Sequence, residues 1–120
     1  ELRALGVGYR APFLIDTARR VADGFPLDKL REMPYEDARR LLTSLKGVGD
    51  KVADCVLLFG CGHWDAFPVD VWVERFLKSW FHETGTRRHL AAIARQRFGP
   101  HGGILQQFLF HAARVGEIAV

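Results

Sequence analysis

Two side chains in this sequence have the chemistry for a covalent reaction at carbon. Lys51 follows the turn Gly47-Val48-Gly49, and Asp70 stands in Pro68-Val69-Asp70-Val71-Trp72. A neutral lysine amine attacks an electrophilic carbon and forms a Schiff base. A carboxylate beside it stabilises developing positive charge. Free lysine is protonated at neutral pH, so a site of this kind has to favour the neutral amine. Each residue also has a plainer reading, Asp70 as a helix cap and Lys51 as a solvated surface lysine.

The elements that must hold them are readable from periodicity. Tyr35 to Leu45 predicts an amphipathic helix with Leu41, Leu42 and Leu45 on one face, and Asp50 to Phe59 predicts a second, with Val52, Val56, Leu57 and Phe59 apolar. Joined by Gly47-Val48-Gly49, they form a helix–hairpin–helix. Both glycines permit positive φ and the close approach of another backbone, while Val48 plugs back into the core. Amides around Gly47, Gly49 and the start of the second helix can then face a phosphate, aided by the helix dipole. A Gly-x-Gly between helices is also often only a turn; Lys51, just past it, raises the phosphate-binding reading.

Reach brings Asp70 back to Lys51. The second hairpin helix carries the chain away by ~15 Å, and the stretch from Gly60 to Val69 can span up to ~30 Å. Asp70 then caps a helix through Phe81, with Val71, Val73, Phe76, Leu77 and Trp80 available to the core. An amine and a carboxylate at two helix starts, beside a phosphate-binding hairpin, suit chemistry at C1′ of a deoxyribose.

The rest of the chain reads as helix. Pro12 opens one with Phe13, Leu14, Ala18, Val21 and Ala22 inward, stopped by Gly24. Pro26 to Met33 forms a short one closed by Pro34. Thr86 opens another with Leu90, Ile93, Ala94 and Phe98 inward, ended by Gly99-Pro100, and a last helix runs from Gly103 to Ile118. No stretch alternates as a strand, so the fold class is all-α.

At 120 residues, residues 1–120 form one domain. Apolar residues at 48% and charged residues at 26% exclude a disordered chain. Lys+Arg 17 against Asp+Glu 14 gives +3, permissive for nucleic acid but weak alone. Cys55 and Cys61, on a helix and its exit loop, read as reduced thiols. No apolar run of ~18 residues and no signal pattern points to a membrane. The five histidines lack ligand spacing for zinc. Arg87, Arg88, Arg95 and Arg97 read either as a basic face or as a solvated helix surface. The start at Glu1, in mid-pattern, suggests a fragment of a longer protein.

Leu45-Lys46-Gly47-Val48-Gly49-Asp50-Lys51-Val52-Ala53-Asp54-Cys55, followed by Pro68-Val69-Asp70-Val71, resembles the helix–hairpin–helix DNA glycosylases, most of all the 8-oxoguanine glycosylase/abasic-site lyases. Leu5-Gly6-Val7-Gly8-Tyr9-Arg10-Ala11 is similar to that family's DNA-wedge segment, and Gln106 and Phe110 to its base-pocket helix. The resemblance thus covers nearly the whole chain and implies the helical glycosylase domain without the family's N-terminal β-rich domain.

The resemblance implies Lys51 as nucleophile and Asp70 as electrostatic and acid/base partner. It implies Tyr9 as a wedge, Arg10 near the unpaired cytosine, and Gly47, Val48, Gly49 and Lys46 on the DNA backbone. Cys55, Gln106 and Phe110 would line the base pocket, Phe110 stacking on the flipped base and Gln106, on the same face, hydrogen-bonding its edge. The Cys55 placement agrees with its spacing of four from Lys51, although Cys55 and Phe110 read alone are core residues. Carbonyls of Thr43, Leu45 and Val48 would hold a monovalent cation, K⁺ or Na⁺. No other cofactor is implied, and no iron–sulfur cluster, for which two cysteines do not suffice. Trp72 stands where the family's eukaryotic members carry histidine, and Lys46 where proline is frequent. The implied partner is damaged double-stranded DNA and no membrane, the protein being a monomer inside the cell at its DNA, in the cytoplasm and nucleoid of a bacterium or the nucleus of a eukaryote. Two other readings stand beside it: an endonuclease-III-type glycosylase of other base specificity, and a non-catalytic helix–hairpin–helix module whose binding ignores lesions and falls steeply with salt.

Overall fold

Proline and glycine punctuation cuts the chain into six α-helices, and no strand forms. The computed structural model describes all 120 residues. The helices are α1 (Ala11–Ala22), α2 (Tyr35–Thr43), α3 (Asp50–Gly60), α4 (Val71–Phe81), α5 (Arg87–Phe98) and α6 (Gly102–Arg114). Short 3₁₀ turns precede α1, follow it at Leu27–Lys29, and join α5 to α6. No helix is long and apolar enough to cross a membrane.

Burial gathers in two clusters. Leu30, Ala38, Leu42, Leu45, Ala53, Leu57, Leu58 and Ala66 fill the space around α2 and α3. Phe67, Val69, Val73, Phe76, Leu77, Leu90, Ala91 and Ala94 fill that among α4, α5 and α6. Each fully buried leucine or phenylalanine contributes about 2 kcal/mol of transfer free energy. The α3–α4 loop stitches the clusters together, because Ala66 belongs to the first and Phe67 to the second. Gly103 clamps that loop to α6: its N–H donates to the Trp64 carbonyl at 2.7 Å. A Cβ there would fall 2.3 Å from the Ala66 carbonyl oxygen, so only glycine fits. The return path of the chain to Asp70 is therefore fixed by packing.

Several expectations are corrected. Along α1 only Ala11 is buried; Phe13, Leu14, Ala18, Val21 and Ala22 are all exposed, because neither cluster reaches that helix. Instead α1 is tied at its edge, where the Arg20 guanidinium donates to the Ser44 carbonyl at 2.7 Å. Val71 and Trp80 also face outward, the Trp80 indole N–H donating to the Ala119 carbonyl at 3.0 Å. The short helix between Pro26 and Pro34 contracts to the Leu27–Lys29 turn. The last helix ends at Arg114, since Gly116 takes a φ of 80° and the Glu117 and Ile118 amides turn back to the Ala112 carbonyl.

Candidate active site

The hairpin is built as its residue types require, with one difference. Gly47 has a φ of 83°, the conformation glycine tolerates without strain, whereas Gly49 sits at −93° in the extended region as the N-cap of α3. Positive φ is thus needed at one glycine, not two. At Gly49 a Cβ would meet nothing within 4 Å. Val48 is half-buried against the first cluster, as expected, and Lys46 is exposed at the turn. Arg39 of α2 pairs with Asp50 at 2.7 Å, fastening the first turn of α3 to the preceding helix.

Asp70 caps α4: its Oδ1 accepts from the amides of Trp72 at 3.0 Å and Val73 at 2.9 Å. Both bonds use one oxygen, which leaves Oδ2 without a protein partner. The plain reading and the chemical one are therefore compatible. Asp70 lines a cavity of about 170 Å³ together with Lys51, Cys55 and Phe59 of α3, Pro68 of the loop, and Gln106, Gln107 and Phe110 of α6. All five residues assigned to catalysis and to the base pocket meet on this one cavity. Burial pushes the Cys55 thiol up, the nearby Lys51 pulls it down, and Asp54 and Asp70 raise it again, so the net shift keeps it a neutral thiol. A neutral Cys55 is a wall of the cavity rather than a nucleophile. Gln106 is buried, its Nε2 donating to the Pro68 carbonyl at 2.8 Å.

No protein-family model matches the chain. It is 42% identical over 116 residues to the probable N-glycosylase/DNA lyase of Methanothermobacter thermautotrophicus, covering 95% of this chain and 37% of that protein. To the N-glycosylase/DNA lyase of Saccharomyces cerevisiae it is 41% identical over 105 residues, covering 78% of this chain and 28% of that one. Among solved structures, the Clostridium acetobutylicum 8-oxoguanine glycosylase/lyase, in complex with double-stranded DNA containing cytosine opposite 8-oxoG, superposes with a TM-score of 0.84 at 34% identity. That match covers 92% of this chain and 39% of that one. The chain belongs to the helix–hairpin–helix DNA glycosylases. Among them it is most like the 8-oxoguanine glycosylase/lyases, and it spans between about a quarter and two-fifths of the length of these relatives.

The remaining residues carried over from that glycosylase family lie outside the lining of the cavity. Tyr9 is 71% exposed on a 3₁₀ turn of Gly8–Arg10, with the Arg10 guanidinium 4.9 Å from its ring centre. Of the three carbonyls expected to hold a cation, that of Leu45 accepts the Val48 amide at 3.2 Å. Those of Thr43 and Val48 accept no backbone amide. Trp72 is half-buried in an apolar pocket with Phe67, Val73, Phe76, Gln106, Leu109 and Phe110. Its role in the fold is packing behind Gln106 and Phe110. Three of the four α5 arginines are paired, and Arg88 is exposed without an ion pair. Arg87 pairs with Glu74 at 2.6 Å, Arg97 with Glu83 at 3.0 Å, and Arg95 with Asp65 and Glu36.

Sequence reasoning missed three features. Phe59 continues the Lys51–Cys55 stripe by four more residues and closes one side of the cavity; that spacing was a usable signal. Gln107 also lines the cavity, and no spacing rule singles it out beside Gln106. The third is a buried polar contact on the far face of α3, where the Tyr35 hydroxyl donates to Asp54. Burial is the larger cause pushing the Asp54 carboxyl up to about 6, partly offset by that hydrogen bond and by Arg39 and Arg95. Burial and the neighbouring carboxylate raise the Tyr35 phenol as well.

Proposed function

We propose that this chain carries the active site of a bifunctional DNA glycosylase and abasic-site lyase that removes 8-oxoguanine from duplex DNA. The observation that carries this reading is the meeting of Lys51 and Asp70 with Cys55, Gln106 and Phe110 on one cavity. The glycosidic bond is shielded inside a duplex, so the damaged nucleotide is extruded, at a cost of a few kcal/mol regained in pocket contacts. Tyr9 occupies the vacated stack and Arg10 faces the orphaned cytosine. Gly47, Val48, Gly49 and Lys46 hold the backbone at the hairpin, where α3 begins.

Asp70 accepts the proton that Lys51 sheds, and the neutral Lys51 Nζ attacks C1′. The C1′–N9 bond breaks, the base leaves with the proton Asp70 had taken, and the carboxylate so restored offsets positive charge on the sugar. Ring opening gives a Schiff base between Lys51 and C1′. Loss of a C2′ proton then expels the 3′ phosphate by β-elimination, and water hydrolyses the imine to free the amine. Carbonyls of Thr43, Leu45 and Val48 are neutral oxygen donors suited to K⁺ or Na⁺, which would add positive charge toward a DNA phosphate. The partner is damaged double-stranded DNA, met by a monomer inside the cell.

The test is product analysis on a duplex bearing 8-oxoguanine opposite cytosine. The account expects free 8-oxoguanine together with strand cleavage by β-elimination. Faster processing of oxidised pyrimidines would point instead to endonuclease-III-type specificity. Binding indifferent to the lesion, without product, would point to a non-catalytic module.

A further inference from the structure

We infer that the buried contact between Tyr35 and Asp54 positions Lys51, fixing the rotation of α3 so that the amine is aimed into its cavity. This rests on the glycosylase reading above and assigns a task to a polar pair that the reaction itself never touches.

α3 stands between two cavities. Lys51 and Cys55 line the one shared with Asp70. Asp50 and Asp54, each one residue earlier, line a second of about 270 Å³ together with Tyr35 and Arg39 of α2 and Arg88 and Arg95 of α5. Residues spaced by four form a short stripe along a helix, and two stripes on one helix turn together. Whatever fixes the Asp50–Asp54 stripe therefore fixes where Lys51 points.

Apolar packing alone does not set that angle. Ala53 and Leu57 are fully buried in the first cluster, but the hydrophobic effect has no direction, whereas hydrogen bonds do. Two of these run from α2 to the stripe. Arg39 donates to Asp50 at 2.7 Å, and the Tyr35 hydroxyl donates to Asp54. The side chain of Asp50 is 42% exposed, so that pair competes with water. Asp54 is 2% exposed, and a carboxyl buried to that degree costs more without its partner than an ordinary hydrogen bond contributes. The phenol is braced in turn from α5, where the Arg95 guanidinium carbon stands 3.3 Å from the centre of the Tyr35 ring. Arg95 is itself paired with Glu36 and Asp65. Tyr35 is thus held on one side and bonded on the other, and a turn of α3 breaks the bond rather than drawing the phenol along. Tyr35 and Asp54 are positioning residues, acting on the reaction only through Lys51.

The experiment measures the single-turnover rate of borohydride-trapped complex formation on an abasic duplex, and beside it the affinity for a tetrahydrofuran duplex. Tyr35→Phe keeps the ring beside Arg95 and removes the bond from one end; Asp54→Ala removes it from the other. Both are expected to slow imine formation about tenfold while duplex affinity stays within about twofold of wild type. Asp54→Asn still accepts from the phenol and should keep the wild-type rate. Leu30→Val loosens the same buried cluster without touching the pair and should also keep it, which separates lost stability from a misplaced amine. The inference is overturned if Tyr35→Phe keeps the wild-type rate, if its duplex affinity falls as far as its rate, or if Asp54→Asn or Leu30→Val slows imine formation equally. Absence of trapping in the wild type instead sinks the enzymatic reading, and this inference with it.

Discussion

Gly47 lies against the ring of Phe13, so that a Cβ added at Gly47 would come within 2.7 Å of two ring carbons. The hairpin between α2 and α3 thus rests on α1, a helix that has almost no buried residue of its own. Gly47→Ala meets both this contact and a φ of 83°. The substitution is expected to destabilise the fold by about 1–3 kcal/mol and to weaken binding to duplex DNA. Removing the ring with Phe13→Ala in the same background should recover only part of the loss, because the backbone strain stays. Denaturant unfolding of the two single variants and the double variant measures this.

The cap that Asp70 provides and the chemical role proposed for it separate by substitution. Asp70→Asn keeps an oxygen to cap α4 and removes the charge. It should leave stability nearly unchanged while cutting base excision by about a hundredfold or more. Asp70→Ala loses the cap as well and should cost about 1 kcal/mol of stability in addition. Thermal melts beside single-turnover excision rates distinguish the two. A melt for Asp70→Asn as low as for Asp70→Ala would mean that the carboxylate charge, not the cap bond, supports α4.

Asp54 makes stability depend on pH. Its carboxyl is raised from 3.8 to about 6 in the fold, mainly by burial. Across that window the native state binds more protons than the unfolded chain, so stability falls as pH rises and is flat above it. The difference amounts to about 1–3 kcal/mol. Asp54→Asn still offers an acceptor to the Tyr35 hydroxyl and has no proton to lose. Relative to wild type it should gain stability as pH rises from 4 to 7. Urea unfolding of both proteins at several pH values reads the sign directly.

Tyr9 contributes nothing to either buried cluster and stands out on its turn. Tyr9→Ala is expected to leave the melting curve within about 0.5 kcal/mol of wild type while weakening engagement of duplex DNA. Cleavage of single-stranded abasic DNA, which has no stack to fill, should suffer less.

The helices and their caps were legible because they are local. Pro12, Asp70 and Thr86 are written where α1, α4 and α5 begin, and leucine spacing marks the buried face of α2. The cavity was legible only in part. Lys51, Cys55 and Asp70 come from a compact motif, but the Pro68 carbonyl and Gln107 belong to a hydrogen-bond chain between a loop and α6, which no periodicity records. The faces of α1 and α4 were misread for a physical reason. An apolar stripe such as Phe13, Leu14 and Val21 says that a face wants cover, and burial depends on whether another element reaches it. Arg87, Arg95 and Arg97 were ambiguous because their partners Glu74, Asp65 and Glu83 lie on other elements.

The central claim is that Lys51 is the nucleophile in a cavity shared with Asp70, and borohydride trapping tests it most directly. The chain and its Lys51→Gln variant are each incubated with an abasic duplex in the presence of borohydride, which reduces an imine to a permanent bond. The account predicts a covalent protein–DNA complex for the wild type and none for Lys51→Gln. A complex of equal yield in the Lys51→Gln variant, or none in the wild type, would contradict it.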